Sequence, residues 1–238
     1  MEEDDIMKTV GVILAKSDYK DFPGKPLAEI NGRPLLSWVF YHANGATTLD
    51  EVVVATENES VTLFCVTNKI KCIKTSDAST LTKMLNEVAQ EEAANYYVYI
   101  DVSEPMLTAA AIDDFVKKAI EVDFPVAHAM TRVEGGDIKD NANIKVIRNT
   151  EGNLLTVTRD KPQQKMEKYF KLLGLGLYNN RILDLYGSLP QRNVEREARC
   201  EVMRFVENNI PVKMVEIDCP TITVNTLKDV KAYKKITL

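Results

Sequence analysis

Short apolar runs and longer amphipathic stretches take turns along this chain. Gly11 to Leu14, Glu51-Val-Val-Val-Ala55, Lys69 to Lys74 and Tyr96-Tyr-Val-Tyr-Ile100 have the length and the β-branched or aromatic character of strands. Between them the apolar spacing lengthens. Glu59 to about Thr67 predicts a helix, Ser79 to Ala94 carries Leu81, Leu85 and Val88 on one helical stripe, and Ala109 to Glu121 predicts another helix. Strand and helix in repeated alternation predict an α/β fold: a mostly parallel mixed sheet flanked by helices on both faces.

Past Pro125 the rhythm changes. Pro125 to Val133 predicts a strand and Glu134 to Asn141 a polar loop. Ile144 to Ile147 and Leu154 to Thr158 flank Asn149-Thr-Glu-Gly-Asn153, which marks a hairpin. Arg159 to Lys168 is polar and predicts a mobile loop. Phe170 to Tyr178 predicts a strand in which Gly174 and Gly176 admit close approach of another segment. Helices over Asn180 to Tyr186 and Val194 to Asn208, a strand over Val212 to Ile217 and a closing helix over Thr226 to Lys235 complete the pattern.

The segment after the first strand holds the earliest candidate chemistry. It carries Lys16, Lys20 and Lys25, and Pro23-Gly-Lys-Pro26 pins it with two fixed φ angles around one permissive glycine. Ala28 to Gly32 predicts a second strand ending in an Asn-Gly turn, with Pro34 opening a helix. Strand, lysine-bearing loop and helix together make an anion-binding site at the carboxyl end of a sheet strand. There is no glycine-rich phosphate fingerprint, so an ordinary surface loop is the competing reading.

Composition narrows the function classes. At 238 residues the chain fits a single domain over residues 9–238 behind an acidic tail of residues 1–8. A formal net charge of −5 argues against nucleic acid as a partner. No apolar run reaches membrane-spanning length and the N-terminus is acidic, unlike a signal peptide, so a cytoplasmic protein without a membrane partner is expected. Cys65, Cys72, Cys200 and Cys219 are scattered, as buried free thiols would be. His42 and His128 are the only histidines and both read as structural, which leaves no basis for a histidine triad or metal centre.

Ligands of such a sheet sit at the carboxyl ends of its strands. Three clusters fall there: Lys16 to Lys25, Asp101 to Glu104 and Thr223 to Asn225. A triphosphate with a hard cation needs lysines for its oxygens and carboxylates for the metal, and Asp101 and Glu104 offer such a pair. The plain alternative is that Ser103, Glu104 and Pro105 only lead into the next helix.

Pro23-Gly-Lys-Pro-Leu27, Ile30-Asn-Gly-Arg-Pro34, Val52-Val-Val-Ala-Thr56, Glu104-Pro-Met106 and Asn143-Ile-Lys-Val146 occur in one order and spacing. Leu173-Gly-Leu-Gly-Leu-Tyr178 and the glutamate-bearing stretch from Val194 to Arg204 extend it. In these motifs, from about Thr9 to Ala232, the chain resembles the 3-deoxy-manno-octulosonate cytidylyltransferases, the CMP-Kdo synthetases. The resemblance implies a nucleotide-diphospho-sugar-transferase-like (Rossmann-like) fold and a homodimer. About residues 133–205 would contribute the acceptor site and the dimerisation lobe. It also implies joining of CTP to the hydroxyl of an acidic sugar with release of pyrophosphate, by in-line attack on the α-phosphate with magnesium present. Carried over by position, Lys16, Lys25 and Arg159 are the catalytic candidates, and Leu14, Ala15, Lys16, Lys25, Thr82 and Asp101 face the nucleotide. Glu104, Tyr178 and Glu201 face the acceptor, while Asp101, Ser103 and Asn225 fall at the metal site.

The departures fall in the chemical parts. Lys16 and Asp21 occupy the places of two family arginines, and Lys20 stands beside the second to offset its charge. Ser103 and Asn225 replace two metal-binding aspartates, removing most of the charge that favours a divalent cation. Thr80-Leu-Thr82 keeps only the threonine of a Ser-Gly-Thr, while Leu172, Gly176 and Val202 replace a histidine, a tyrosine and a glutamine around the sugar. The acceptor implied is therefore an acid other than Kdo, sugar-like or phosphonate-like. A catalytically inactive relative serving as a binding or scaffold protein is the alternative.

Overall fold

The computed structural model describes residues 7–17, 19, 22–77, 80–162, 166–219 and 222–233. Lys20, Asp21 and most of the expected acidic tail lie outside the described residues.

In chain order the strands are β1 (Thr9–Leu14), β2 (Glu29–Ile30), β3 (Arg33–Pro34), β4 (Glu51–Thr56), β5 (Cys72–Lys74), β6 (Tyr96–Asp101), β7 (Val126–Val133), β8 (Lys145–Arg148), β9 (Leu154–Thr158), β10 (Tyr169–Asn179) and β11 (Val212–Glu216). The helices are α1 (Leu35–Asn44), α2 (Glu59–Thr67), α3 (Leu81–Glu91), α4 (Ala109–Glu121), α5 (Asn180–Tyr186), α6 (Asn193–Ala198), α7 (Met203–Glu207) and α8 (Leu227–Tyr233). The main sheet runs β5-β4-β1-β6-β10-β7-β11. Every pairing along it is parallel except those of β10, which lies antiparallel between β6 and β7. The mixed, mostly parallel sheet expected from the pattern is thus present, and the hairpin of β8 and β9 hangs from β10.

Side chains alternating along each strand supply two cores. Ile13, Val54, Val98 and Ile100 pack on one face with Leu36 and Val39 of α1 and Ile112, Phe115 and Val116 of α4. Val10, Val12, Leu14 and Val53 pack on the other with Met84, Leu85 and Val88 of α3, Leu183 of α5 and Phe205 of α7. Both faces are covered, which is why these strands read as near-continuous apolar runs.

β1 lies between β4 and β6, so the chain leaves it toward one edge of the sheet and later returns on its other side. This is a topological switch point, where the connections leaving two adjacent strands diverge and open a crevice. The register sets Leu14 at the end of β1 beside Asp101 at the end of β6. Among the described residues no helix is long and apolar enough to cross a membrane.

Among the segment predictions that shift, the helix expected over Ser79 to Ala94 shortens to Leu81–Glu91 between its caps Thr80 and Glu92, and four others change as follows. Lys69 and Ile70 belong to the end of α2: Lys69 turns left-handed (φ 56) and the Ile70 N–H closes back on the Cys65 carbonyl at 2.9 Å, so β5 begins only at Cys72. Asn31 and Gly32, both at positive φ, turn the small hairpin of β2 and β3, and Pro34 ends β3 as the cap of α1. The closing helix begins at Leu227, after Thr226 and Asp229 close a hydrogen-bonded turn. The single helix predicted over Val194 to Asn208 is two short ones with a corner at Arg199 to Val202. Tertiary bonds override the helical period there. The Glu207 carboxylate accepts from the Val194 and Glu195 N–H groups at the start of α6, and Glu195 forms a two-pronged ion pair with Arg204 of α7 at 2.9 and 2.6 Å.

Candidate active site

A cavity of about 810 Å³ opens at the switch point. Its lining includes Lys25 from the loop after β1, Asp101, Ser103 and Glu104 at the end of β6, Leu172 to Gly174 of β10, and Thr223, Asn225 and Thr226 ahead of α8. The three expected clusters therefore meet, each through some of its members. Lys25 donates to the Ser103 hydroxyl, the Val224 N–H donates to the Ser103 carbonyl at 2.8 Å, and the Thr223 hydroxyl donates to Glu104 Oε1 at 3.0 Å.

Lys25 is held by the geometry of its own loop. Gly24 is left-handed (φ 71) and caps a single 3-10 turn over Lys25–Leu27, which aims the lysine inward. The side chain is only 1% exposed, with Nζ 3.3 Å from the centre of the Tyr19 ring. Burial pushes its pKa down, while the charges of Asp101 and Glu104 oppose that shift.

Asp101 accepts from the Ser103 N–H at 2.7 Å and the Tyr99 hydroxyl at 2.9 Å, so both its oxygens are engaged. Glu104 accepts from the Gly174 N–H at 3.2 Å as well as from Thr223, but among the described residues its Oε2 has no hydrogen-bond partner. Burial raises the Glu104 pKa to about 7, with the charge of Lys171 pulling the other way. Gly174 is required here, because a Cβ at this position would stand 2.5 Å from the Asp101 Cβ and 3.0 Å from the Glu104 Cγ. β10 slips register against β7 between Leu172 and Gly176, which lets this glycine press against the turn after β6.

Other expected residues take different places. Leu14 and Ala15 are buried under the site, and neither they nor Lys16 line the cavity. Ala15 accepts the Thr56 hydroxyl through its carbonyl, and Ser17 is tied to Glu57. Thr82 is 4% exposed at the start of α3, where its N–H and hydroxyl, with the Leu81 N–H, donate to the Glu201 carboxylate at 2.9, 3.0 and 2.9 Å. Glu201 lines the cavity, yet its carboxylate caps that helix, and burial raises its pKa. Arg159 lines the cavity while donating from Nε to the Ala198 carbonyl at 2.9 Å. Tyr178 lies in the cavity wall with its hydroxyl 2.6 Å from His128 Nε2.

His128, read from the sequence as structural only, and Arg199, given no site role there, both line the cavity. Gly176 carries the trace of the first, since it pairs with His128 across β10 and β7 and a Cβ there would meet the imidazole at 2.8 Å. Burial drops the His128 pKa to about 3, so the ring is neutral.

Residues 10–217 match the family model described as cytidylyltransferase. The 3-deoxy-manno-octulosonate cytidylyltransferase of Koribacter versatilis (strain Ellin345) is 30% identical over 236 residues, covering 97% of this chain and 90% of the relative. The mitochondrial 3-deoxy-manno-octulosonate cytidylyltransferase of Arabidopsis thaliana is 27% identical over 241 residues, covering 96% of this chain and 83% of its own. A solved CMP:2-keto-3-deoxy-manno-octonic acid synthetase complexed with CTP matches with a TM-score of 0.88 at 25% identity, over 96% of this chain and 97% of that one. The inositol-1-phosphate CTP transferase from T. maritima shares the fold, with a TM-score of 0.70 at 10% identity over 96% and 94%. By the extent of the family match and the similarity along nearly its whole length, the chain belongs to the cytidylyltransferases, a nucleotidyltransferase family on the nucleotide-diphospho-sugar transferase fold.

Proposed function

We propose that this protein transfers the cytidylyl group of CTP to a hydroxyl of an acidic, sugar-like acceptor. The hydroxyl oxygen forms the new bond to the α-phosphorus, the bond to the β-phosphate bridge breaks, pyrophosphate leaves, and the hydroxyl proton is released. The observation that carries this reading is the meeting of Lys25, the Asp101–Glu104 turn and Thr223–Asn225 in one cavity at the switch point. Lys25 supplies a buried point charge for phosphate oxygens, and the work of the site is positioning and charge stabilisation. Tyr178 and Glu104 belong to the acceptor side, with Arg159 in the cavity wall formed by residues 142–144, 159, 197 and 199–202.

The residues present fit a resident magnesium ion poorly. Both oxygens of Asp101 are engaged, Ser103 bonds an ammonium, and the described residues contain no group of three or more histidine, cysteine or acidic side chains able to hold a metal. Lys25 fills the acidic corner itself. The reading therefore assigns the charge-stabilising role to Lys25. It also includes a homodimer, with the segment after about Val133 as the shared lobe.

Isothermal titration with CTP, with UTP and ATP as controls and in magnesium or a chelator, tests the reading. Pyrophosphate release with a panel of acids follows. Selective CTP binding is expected, and Lys25→Met should weaken it by at least about tenfold. A wild-type protein that binds no nucleotide would sink the reading in favour of a retained fold with a binding role.

A further inference from the structure

The corner between α6 and α7 places an arginine on the cavity wall in an unusual backbone state. Arg199 ends α6 at φ 49 and ψ 52, the left-handed region that disfavours a residue with a Cβ. The corner is tied down from several sides: the Arg199 and Cys200 N–H groups donate to the Glu195 carbonyl, and Arg159 Nε donates to the Ala198 carbonyl at 2.9 Å. Left-handed residues also follow α2 (Lys69) and α7 (Asn209), so the turn is a helix-ending device, and here it fixes the backbone of a cavity-lining arginine.

Two arginines stand on this wall, and they are not equivalent. Arg159 also spends Nη1 on the Asn141 and Ala142 carbonyls at 3.4 and 3.5 Å. Arg199 is exposed and lines the cavity, and its guanidinium has no hydrogen bond or ion pair among the described residues. Ile144, Leu172 and Val202 line the cavity beside these arginines without a side-chain donor, and Glu197 lines it too but is exposed to water. An acid entering here meets one uncommitted planar fork.

We propose that Arg199 receives the carboxylate of the acceptor and so selects acids over neutral sugars. The identity of the reaction rests on the cytidylyltransferase reading; the anion site does not. Arg199→Gly is the informative variant, because glycine takes the left-handed region freely and the corner keeps its backbone. Arg199→Lys keeps the charge and loses the fork.

The test titrates wild type and both variants with 2-keto-3-deoxy sugar acids of increasing chain length and with the C1 amide of each. The titrations are made with and without α,β-methylene CTP, which blocks turnover. Wild type should take at least one acid about tenfold more tightly than its amide. Arg199→Gly should take both alike with an undiminished melting temperature, and Arg199→Lys should keep part of the preference. Equal affinity of wild type for acid and amide, no binding of any acid, or an intact preference in Arg199→Gly would each overturn the assignment. The nucleotide analogue separates the two failures. If all three proteins bind it, the cytidylyl reading stands whatever the acids do; if wild type does not, that reading fails by itself.

Discussion

At the scale of single residues, the site turns on charges that water does not reach. Glu104 is 2% exposed and its pKa is raised to about 7, so folding favours its protonated form. The stability that goes with that proton is present below the ordinary carboxylate range and is lost as pH rises through about 7. Glu104→Gln keeps an acceptor for Gly174 and Thr223 but cannot ionise. Its melting temperature relative to wild type should therefore climb between about pH 5 and about pH 8, by an amount worth up to about 3 kcal/mol. A difference that stays flat across that range would show that Glu104 ionises as freely as an exposed carboxylate. The sequence marked Glu104 as a site candidate but not its raised pKa, which depends on burial. Gly174 and Thr223, packed against it in the fold, help to remove the solvent.

Among the elements, the long helix expected after Val194 shows where periodicity stops being sufficient. The apolar spacing is helical throughout, yet the chain breaks at Arg199 to Val202, where the Glu207 cap on α6 and the Glu195–Arg204 pair hold the two short helices and Glu201, within the corner, caps α3. Glu201→Ala should lower stability by about 1–2 kcal/mol, read as a fall in the urea midpoint with an unchanged slope. If its role were only to hold the acceptor, acceptor affinity would fall with the midpoint unmoved. The strands, in contrast, were legible because burial on both faces leaves their composition little freedom. β6, α2, α4 and α5 fall within a residue of the positions read from composition and period alone. The clusters near Lys25, Asp101 and Thr223 were legible for a related reason: the alternation of strand and helix dictates that strand ends share one edge. The place of Lys16 was not legible, since the direction of a loop side chain depends on what the loop leans against.

For the whole molecule, the proposed homodimer predicts light scattering at twice the 26.8 kDa of the chain, at micromolar concentration and without ligand. A monomer under those conditions would confine each site to the residues of one chain. Taken alone, the sequence determined the layered α/β architecture, the two apolar faces and the kinship carried by its ordered motifs. These are written in local period and in residue identity, which need no knowledge of distant neighbours. The tertiary structure decided what each charged group meets: Lys25 the Ser103 hydroxyl, Glu104 the Gly174 N–H, Glu201 the start of α3, and Arg199 no partner on the cavity wall among the described residues. Those pairings join residues far apart in the chain, and their energies depend on exclusion of water, which exists only once the sheet and its helices have closed around them.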